Sequence, residues 1–540
     1  MGFTANSLGR DIPGSIDGRK LRPYAPAFPS CDVVQAEAAG AVPAPGPPRG
    51  QGATLRGSAG RGAPVKLATS WDELLDRVRL RDGMTISFHH HLRDGDAVIN
   101  EAITRIAARG YKDLVLAPTA LFPVHDRLVP LIESGVIARV EGSMNGAVGA
   151  ACTRGAMRGV SILRSHGGRC RAVETGELHI DLAIIAAPTA DSFGNANGLY
   201  GKSACGPLGY ALPDSLHADE VVIITDNLVP YPCAPQSISG GRVDHVLAVD
   251  SIGDPSKIAS GSTRLTRSPT QLLVAELAAA FAEAVGIIHE GFSFQAGAGG
   301  ISLATVTRLA ARMRSKGIHA SFAHGGGTGI LAGLLEEGLL GSIIDLQSFD
   351  LEAVRSCREN PRHLESDPFS SYGPHGLGSA ASMLDLAILG ATEIDLDFNV
   401  NVNTHSDGRL LHGIGGHQDA AAGASCCIVT VPGFRKRIPI IGEKVITVSC
   451  PGELVDAVVT ERGIAINPRR GDLLALAKKA GLPVTGIGDL MREIQAITGI
   501  PEQPRFGDRV VALVEWRDGS VLDVVRDVES PTGSDTTEGP

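Results

Sequence analysis

The chain has no excess of basic residues. Its 49 Lys and Arg stand against 59 Asp and Glu, a formal net charge of −10. Nucleic-acid binding needs clustered cations that displace counterions from phosphates, so a polyanionic partner is disfavoured and any cationic site must be local. No uninterrupted apolar run approaches the roughly 20 residues of a membrane span, and the opening MGFTANSLGRDIPG has neither the basic nor the apolar region of a signal peptide. Cytoplasm is the expected compartment. The nine cysteines, Cys31, Cys152, Cys170, Cys205, Cys233, Cys357, Cys426, Cys427 and Cys450, are scattered and include no CxxC pair. They read as reduced, mostly buried thiols. GxGxxG after the first strand, GxxxxGK[ST], HExxH and GxSxG are all missing, which removes the main support for dinucleotide, P-loop, zincin and serine-hydrolase readings.

What is present is length, punctuation and a repeat. At 540 residues, 43% of them hydrophobic, the chain can bury the cores of two or more domains. Residues 1–65 contain the run AAGAVPAPGPPRGQGATLRGSAGRGAP and are expected to form a Pro/Gly-rich extension that buries little. The preceding IPGSIDGRKLRPYAPAF has apolar side chains that could dock on the core. Residues 527–540 are expected to be a flexible tail. Between these ends, Asp181 to Asn197 aligns without gaps on Asp385 to Asn401, eight of 17 positions being identical. Upstream, Ser87-Phe88 matches Ser293-Phe294, and Glu133 to Gly135 matches Glu336 to Gly338, in the same order. The sequence therefore predicts two similar halves, 66–262 and 263–526. Each alternates apolar runs such as MTISF, DLVLA, DLAIIAA and EVVIIT with helical patterns such as Asp96 to Arg109, so the fold class is α/β with two similar open sheets.

Ligands of open parallel sheets gather beyond the carboxyl ends of strands. There the sequence places FHHHLRDG, APTADSFGNANG, QAGAGG, AHGGGTG and TEIDLDFNVNVNTHSDG. Gly297 to Gly300 (GAGG) could offer N–H groups and a helix N-terminus to an oxyanion or phosphate, or form only a tight turn. Gly325 to Gly327, after His324, have the same two readings. His89, His90 and His91 alternate along the chain, which is awkward for a three-ligand metal cluster, so no metal site is expected. With Arg93 they suit a carboxylate-binding, proton-handling wall; otherwise they are satisfied polar residues at a domain edge. Asn195, Asn197, Asn399, Asn401 and Asn403 suit a pantetheine amide or a carboxylate. For the Asn residues shared by both repeats, a turn in which Asn bonds its own backbone is preferred. His405, Asp407, His412 and His417 follow the second copy only, and that asymmetry makes a site more expected there.

The strings TISFHHHLRDGD, SHGGRCRAVETGELHIDLAIIAAPTADSFGNANG, LVPYP, EGFSFQAGAGGISLA, IDLQSFD and EIDLDFNVNVNTHSDGRLLHGIGGHQDAAA closely resemble the citrate lyase α-subunit family, the citrate CoA-transferase component of that enzyme. The likeness runs from about residue 66 to 526. It implies two CoA-transferase-like domains meeting at the active site of a cytoplasmic, oligomeric complex. It also implies a reaction in which an acetyl thioester on an acyl carrier γ subunit and citrate give citryl thioester and acetate, a β subunit then cleaving the citryl group. The CoA-like phosphopantetheine belongs to the carrier, so no cofactor is expected covalently on this chain. Many CoA-transferases carry a nucleophilic Glu where this chain has HASFAHGGGTG. The resemblance thus implies direct attack without a covalent enzyme intermediate, with Glu290 and Glu393 left as candidate nucleophiles. On this reading His324, Gly325 and Gly326 stand beside the reacting centre. His89, His90, His91, Arg93, Gly297, Gly299, Gly300, Asn399, Asn401 and His417 bind substrate. Alternatives are a transferase using free CoA (as acetyl-CoA) or citramalate, and a non-catalytic metabolite-binding protein on the same scaffold.

Overall fold

The computed structural model describes residues 2–26, 65–259, 264–374 and 378–528. The expected boundary at 262/263, the Pro/Gly-rich run up to 64 and the tail beyond 528 lie outside the described residues. The apolar runs become parallel strands covered on both faces. DLAIIAA supplies Leu182–Ala187 and EVVIIT supplies Glu220–Thr225, paired from Leu182 opposite Glu220 to Ala187 opposite Thr225. The first sheet has seven strands, in the order Leu67–Ala68, His245–Ala248, Glu220–Thr225, Leu182–Ala187, Thr85–Phe88, Leu114–Pro118, Ile137–Val140. The second has nine. Six of them, Ala457–Thr460, Cys426–Thr430, Leu386–Leu389, Phe294–Ala296, Ala320–Gly327 and Leu340–Ser348, lie side by side in the order of the last six of the first sheet.

Hydrogen bonds bring the two sheets into register. The Thr85 N–H donates to Asp181 Oδ2 at 2.7 Å and the Ser293 N–H to Asp385 Oδ2 at 2.8 Å. Thr85, not Ser87, is therefore the counterpart of Ser293. A displacement of two residues keeps every side chain on its face, which is why the sequence match tolerates it. With this register His89 to His91 and Gly297 to Gly299 occupy the same place, just past the central strand of each sheet. The segment from Asp96 forms the helix Val98–Ala108, which buries Val98, Ile99, Ala102, Ile103 and Ile106. Its counterpart after the glycines is Gly300–Lys316. One hydrophobic cluster runs through both halves, joining Ile184 and Val222 to Ala387 and Val429.

Two segments depart from the expected division. The hairpin Phe506–Glu515 and Val521–Val528 pairs with Ser161–Leu163 of the first half, Leu513 opposite Ile162, so the end of the second half belongs spatially to the first. Residues 2–26 are also folded. The Tyr24 N–H donates to Val521 O at 3.0 Å, and Ile12, Ile16 and Leu21 pack with Val510, Leu513 and Val521. Within the assumed extension, this stretch buries enough apolar surface to be part of the fold.

Candidate active site

The two sheets meet with the carboxyl ends of their central strands facing one seam, and histidines and tyrosines crowd it. On the first side, the His90 ring lies 4.9 Å from Tyr210 and 5.9 Å from His166. The His90 N–H donates to Thr119 Oγ1 at 3.1 Å, fixing the turn that follows the strand. His166 opens the helix His166–Thr175, where Ser165 Oγ caps by accepting the Gly168 N–H at 3.0 Å. Asp419 reaches across from the second half to accept the Gly167 N–H at 2.9 Å and the Ser165 hydroxyl at 3.1 Å. The His166 helix start is thus clamped to both halves.

On the second side, Gln295 lies between His324 and Tyr372, with His324 Nδ1 2.8 Å from Gln295 Oε1 and Gln295 Nε2 3.1 Å from Tyr372 Oη. The Tyr372 ring stands 5.0 Å from His324 and 6.1 Å from His166. Gln347 joins the sides by donating from Nε2 to His90 O at 2.7 Å. Arg93 is held between Phe122 of the first half and Phe349 of the second, its guanidinium carbon 5.4 and 4.9 Å from their ring centres. Its φ of +51 lies in the left-handed region that side chains seldom occupy.

Burial controls the charge here. It pushes the His91, His166 and His324 imidazoles down to about 3 and His90 well below its ordinary value. The expected proton-handling wall is therefore a set of neutral rings, each with one N–H donor and one lone pair. The cation of the HHHLR string is Arg93. Burial lowers its pKa from a very high starting point, and Asp94 opposes that. Tyr210 and Tyr372 stay protonated because burial raises both phenols.

Several sequence candidates are placed elsewhere or given other work. His89 Nε2 donates to Asp214 Oδ2 at 2.8 Å, and Asp214 is also held by both terminal nitrogens of Arg169 at 2.8 Å. His89 thus supports the wall from behind. Burial would raise the Asp214 carboxyl, but Arg169 and His89 hold it well below the usual range. Asn399 and Asn401 are consumed by turns. Asn399 Nδ2 donates to Asp395 Oδ2 at 3.1 Å while its Oδ1 accepts the Gly452 N–H at 2.9 Å. Asn195 makes the same bonds with Asp191 and Gly240, while the expected turn, Asn bonding its own backbone, is formed by Asn197 and Asn401, whose Oδ1 atoms accept the Leu199 and Asn403 N–H. His417 Nε2 donates to Gly390 O at 3.1 Å.

Glu290 precedes the Phe294–Ala296 strand and accepts the His319 N–H at 2.9 Å, which puts it at the amino ends of the strands, opposite the seam. Glu393 is tied to Asn401 Nδ2 at 2.8 Å and the Ile446 N–H at 3.1 Å. Neither is hydrogen-bonded to His324, whose Nδ1 partner among the described residues is Gln295. Gly325 to Gly327 are strand residues, not an open loop, since Ala320–Gly327 is continuous. A Cβ on Gly326 would come within 2.0 Å of the Phe349 ring, so this glycine serves the packing beneath Arg93. Gly297, Gly299 and Gly300 do lie at the carboxyl end of the central strand, where Gly299 caps the 17-residue helix Gly300–Lys316. That placement agrees with an anion-facing turn.

Sequence reasoning did not single out His166, Tyr210, Gln295, Gln347 or Tyr372. The Ser-His-Gly-Gly start of the His166 helix carries a cap signal, but Tyr210 and Tyr372 come from short helical turns with no motif. Among the described residues one group has metal-like spacing, His179, Asp181 and Asp219. It is partly exposed and ion-paired through Asp181 to Arg81, away from the seam.

Comparison with known proteins agrees with this architecture. A sequence model of the family "Citrate lyase, alpha subunit" matches residues 64–528. The citrate lyase alpha chain of Klebsiella pneumoniae is 45% identical over 466 residues, covering 86% of this chain and 92% of that protein. That of Escherichia coli strain K12 is 43% identical over 467 residues, 86% and 91%. A crystal structure assigned to the alpha subunit of citrate lyase from Streptococcus mutans, in complex with citrate, superposes with a TM-score of 0.88 at 42% identity, covering 97% of this chain and all of that one. A Pseudomonas malonate decarboxylase hetero-tetramer chain shares the fold at a TM-score of 0.60 and 16% identity, over 84% of this chain and 91% of its own. From the match over 64–528 and the relatives above 40% identity, the chain belongs to the citrate lyase alpha-subunit family, a transferase component of citrate lyase.

Proposed function

We propose that this chain exchanges the acyl group on a carrier thiol, converting an acetyl thioester and citrate into a citryl thioester and acetate. The carrier γ subunit presents the phosphopantetheine thioester and a β subunit consumes the citryl product. The observation that carries this reading is the seam itself. Arg93 and neutral hydrogen-bonding rings from both halves line it, while the hydrogen bonds of Glu290 and Glu393 among the described residues are made elsewhere. The citrate complex of the Streptococcus mutans relative supports citrate as the tricarboxylate substrate.

Chemically the seam favours attack by the substrate's own carboxylate. A carboxylate is a weak, well-solvated nucleophile, and replacing its water by fixed dipoles while holding it against the thioester carbonyl lowers the barrier. Its oxygen adds to the acetyl carbonyl, and collapse forms a mixed anhydride and expels the thiolate. The thiolate then attacks the citryl carbonyl of that anhydride, forming the citryl thioester and releasing acetate. Arg93 holds a carboxylate, and the half-exposed Gly297 to Gly300 turn faces the carrier side. The test is acetate release from the acetylated carrier. Release should require citrate and match citryl thioester formed, mole for mole. No citrate-dependent acetate would contradict the reading.

A further inference from the structure

The hydrogen-bond chain through Gln295 has a direction that can be worked out. His324 Nε2 is buried and has no hydrogen-bond partner among the described residues. If the Gln295 amide were reversed, His324 Nδ1 would accept from it and the neutral ring's one proton would sit on Nε2, a buried donor with no acceptor. An orphaned buried N–H is rarer and costlier than an orphaned lone pair. The proton therefore lies on Nδ1 and is donated to Gln295 Oε1 at 2.8 Å, and Gln295 Nε2 donates to Tyr372 Oη at 3.1 Å. Because that oxygen accepts from Gln295, the phenol hydrogen is available to another acceptor. The ring is 2% exposed, and a Cβ at Gly416 would lie 2.7 Å from Oη, so only glycine there leaves the hydroxyl its position.

Resting on the reading that acyl transfer occurs in this seam, we infer that Tyr372 is the side-chain donor to the oxyanion of the tetrahedral intermediate, with Gln295 and His324 as the residues that position its hydroxyl. When the citrate carboxylate adds, the carbonyl π electrons pass to oxygen and the charge is met by the Tyr372 O–H. Expulsion of the thiolate returns the carbonyl, and no proton leaves the phenol. The donor is preorganised because its orientation is set before the charge develops.

The experiment compares wild-type protein with Tyr372→Phe and Gln295→Glu in citrate-dependent acetate release from the acetylated carrier, reading kcat and the citrate KM separately. Both changes preserve shape. A glutamate at 295 accepts hydrogens from both neighbours, so it captures the Tyr372 hydrogen while leaving the tyrosine in place. Each variant should lose about 100- to 1000-fold in kcat, the loss typical of one oxyanion donor, with KM within about threefold, since an interaction made only in the transition state does not alter ground-state binding. Tyr372→Phe with kcat close to wild type, or with its loss confined to KM, overturns the donor role. Gln295→Glu at full rate overturns the direction of the chain. A wild-type protein that releases no acetate with citrate removes the underlying reading and this inference with it.

Discussion

Arg93 holds a strained backbone conformation between two phenylalanines from different halves, and rigid placement of that kind suits recognition of a carboxylate. Replacing it with Ala removes charge-assisted hydrogen bonds worth about 1.5–3 kcal/mol. The citrate KM of Arg93→Ala should rise about 10- to 100-fold, measured by steady-state acetate release. A KM equal to wild type would place the carboxylate elsewhere. At this scale the sequence displayed Arg93 and the three histidines as a group but not their division of labour. His89 turns back to Asp214 and His90 stacks on Tyr210. Those partners are remote in sequence, and only the packing of Arg169 and Asp214 behind the strand decides which ring faces the seam.

Among the elements, the paired turns at Asn197 and Asn401 were legible because their hydrogen bonds, to the Leu199 and Asn403 N–H, are local. The same locality explains the sharp repeat there and its two-residue displacement at Thr85 and Ser293, where nothing but alternation fixes the match. The N-terminal stretch was harder to read. Its Gly and Pro content hides four short strands, and its docking partner, the 506–528 hairpin, lies at the far end of the chain. Ile12, Ile16, Leu21 and Tyr24 are all under 10% exposed. Burying aliphatic side chains of this size contributes about 1.5–3 kcal/mol each. Deleting residues 2–26 should therefore lower stability by about 5 kcal/mol, read as a large fall in the thermal midpoint. A midpoint within a degree or two of the full chain would show that the segment only lies on the surface.

For the whole molecule, shared burial sets both the pH response and the chemistry. His91, His166 and His324 are held near 3 and His417 near 4 by desolvation, against about 6.5 in an unfolded chain. Between these values the unfolded state binds more protons. Stability from these groups is complete above about pH 6.5 and falls as the pH drops below it, by up to about 1.4 kcal/mol per group per pH unit. Urea midpoints at pH 7.5 and pH 5 should differ strongly, the lower pH being less stable. Equal midpoints would mean the rings are hydrated.

The seam was foreseeable from two halves carrying complementary loops. Its chemistry was not, because neutral imidazoles follow from depth and not from residue type. The central claim is direct attack by citrate across that seam, and isotope transfer tests it. With enzyme in excess over the acetylated carrier, so that each site turns over once, citrate labelled with oxygen-18 in its carboxylates should deliver one labelled oxygen to the released acetate, the bridging atom of the mixed anhydride. Unlabelled acetate, its oxygen drawn from a protein carboxylate, would contradict the account.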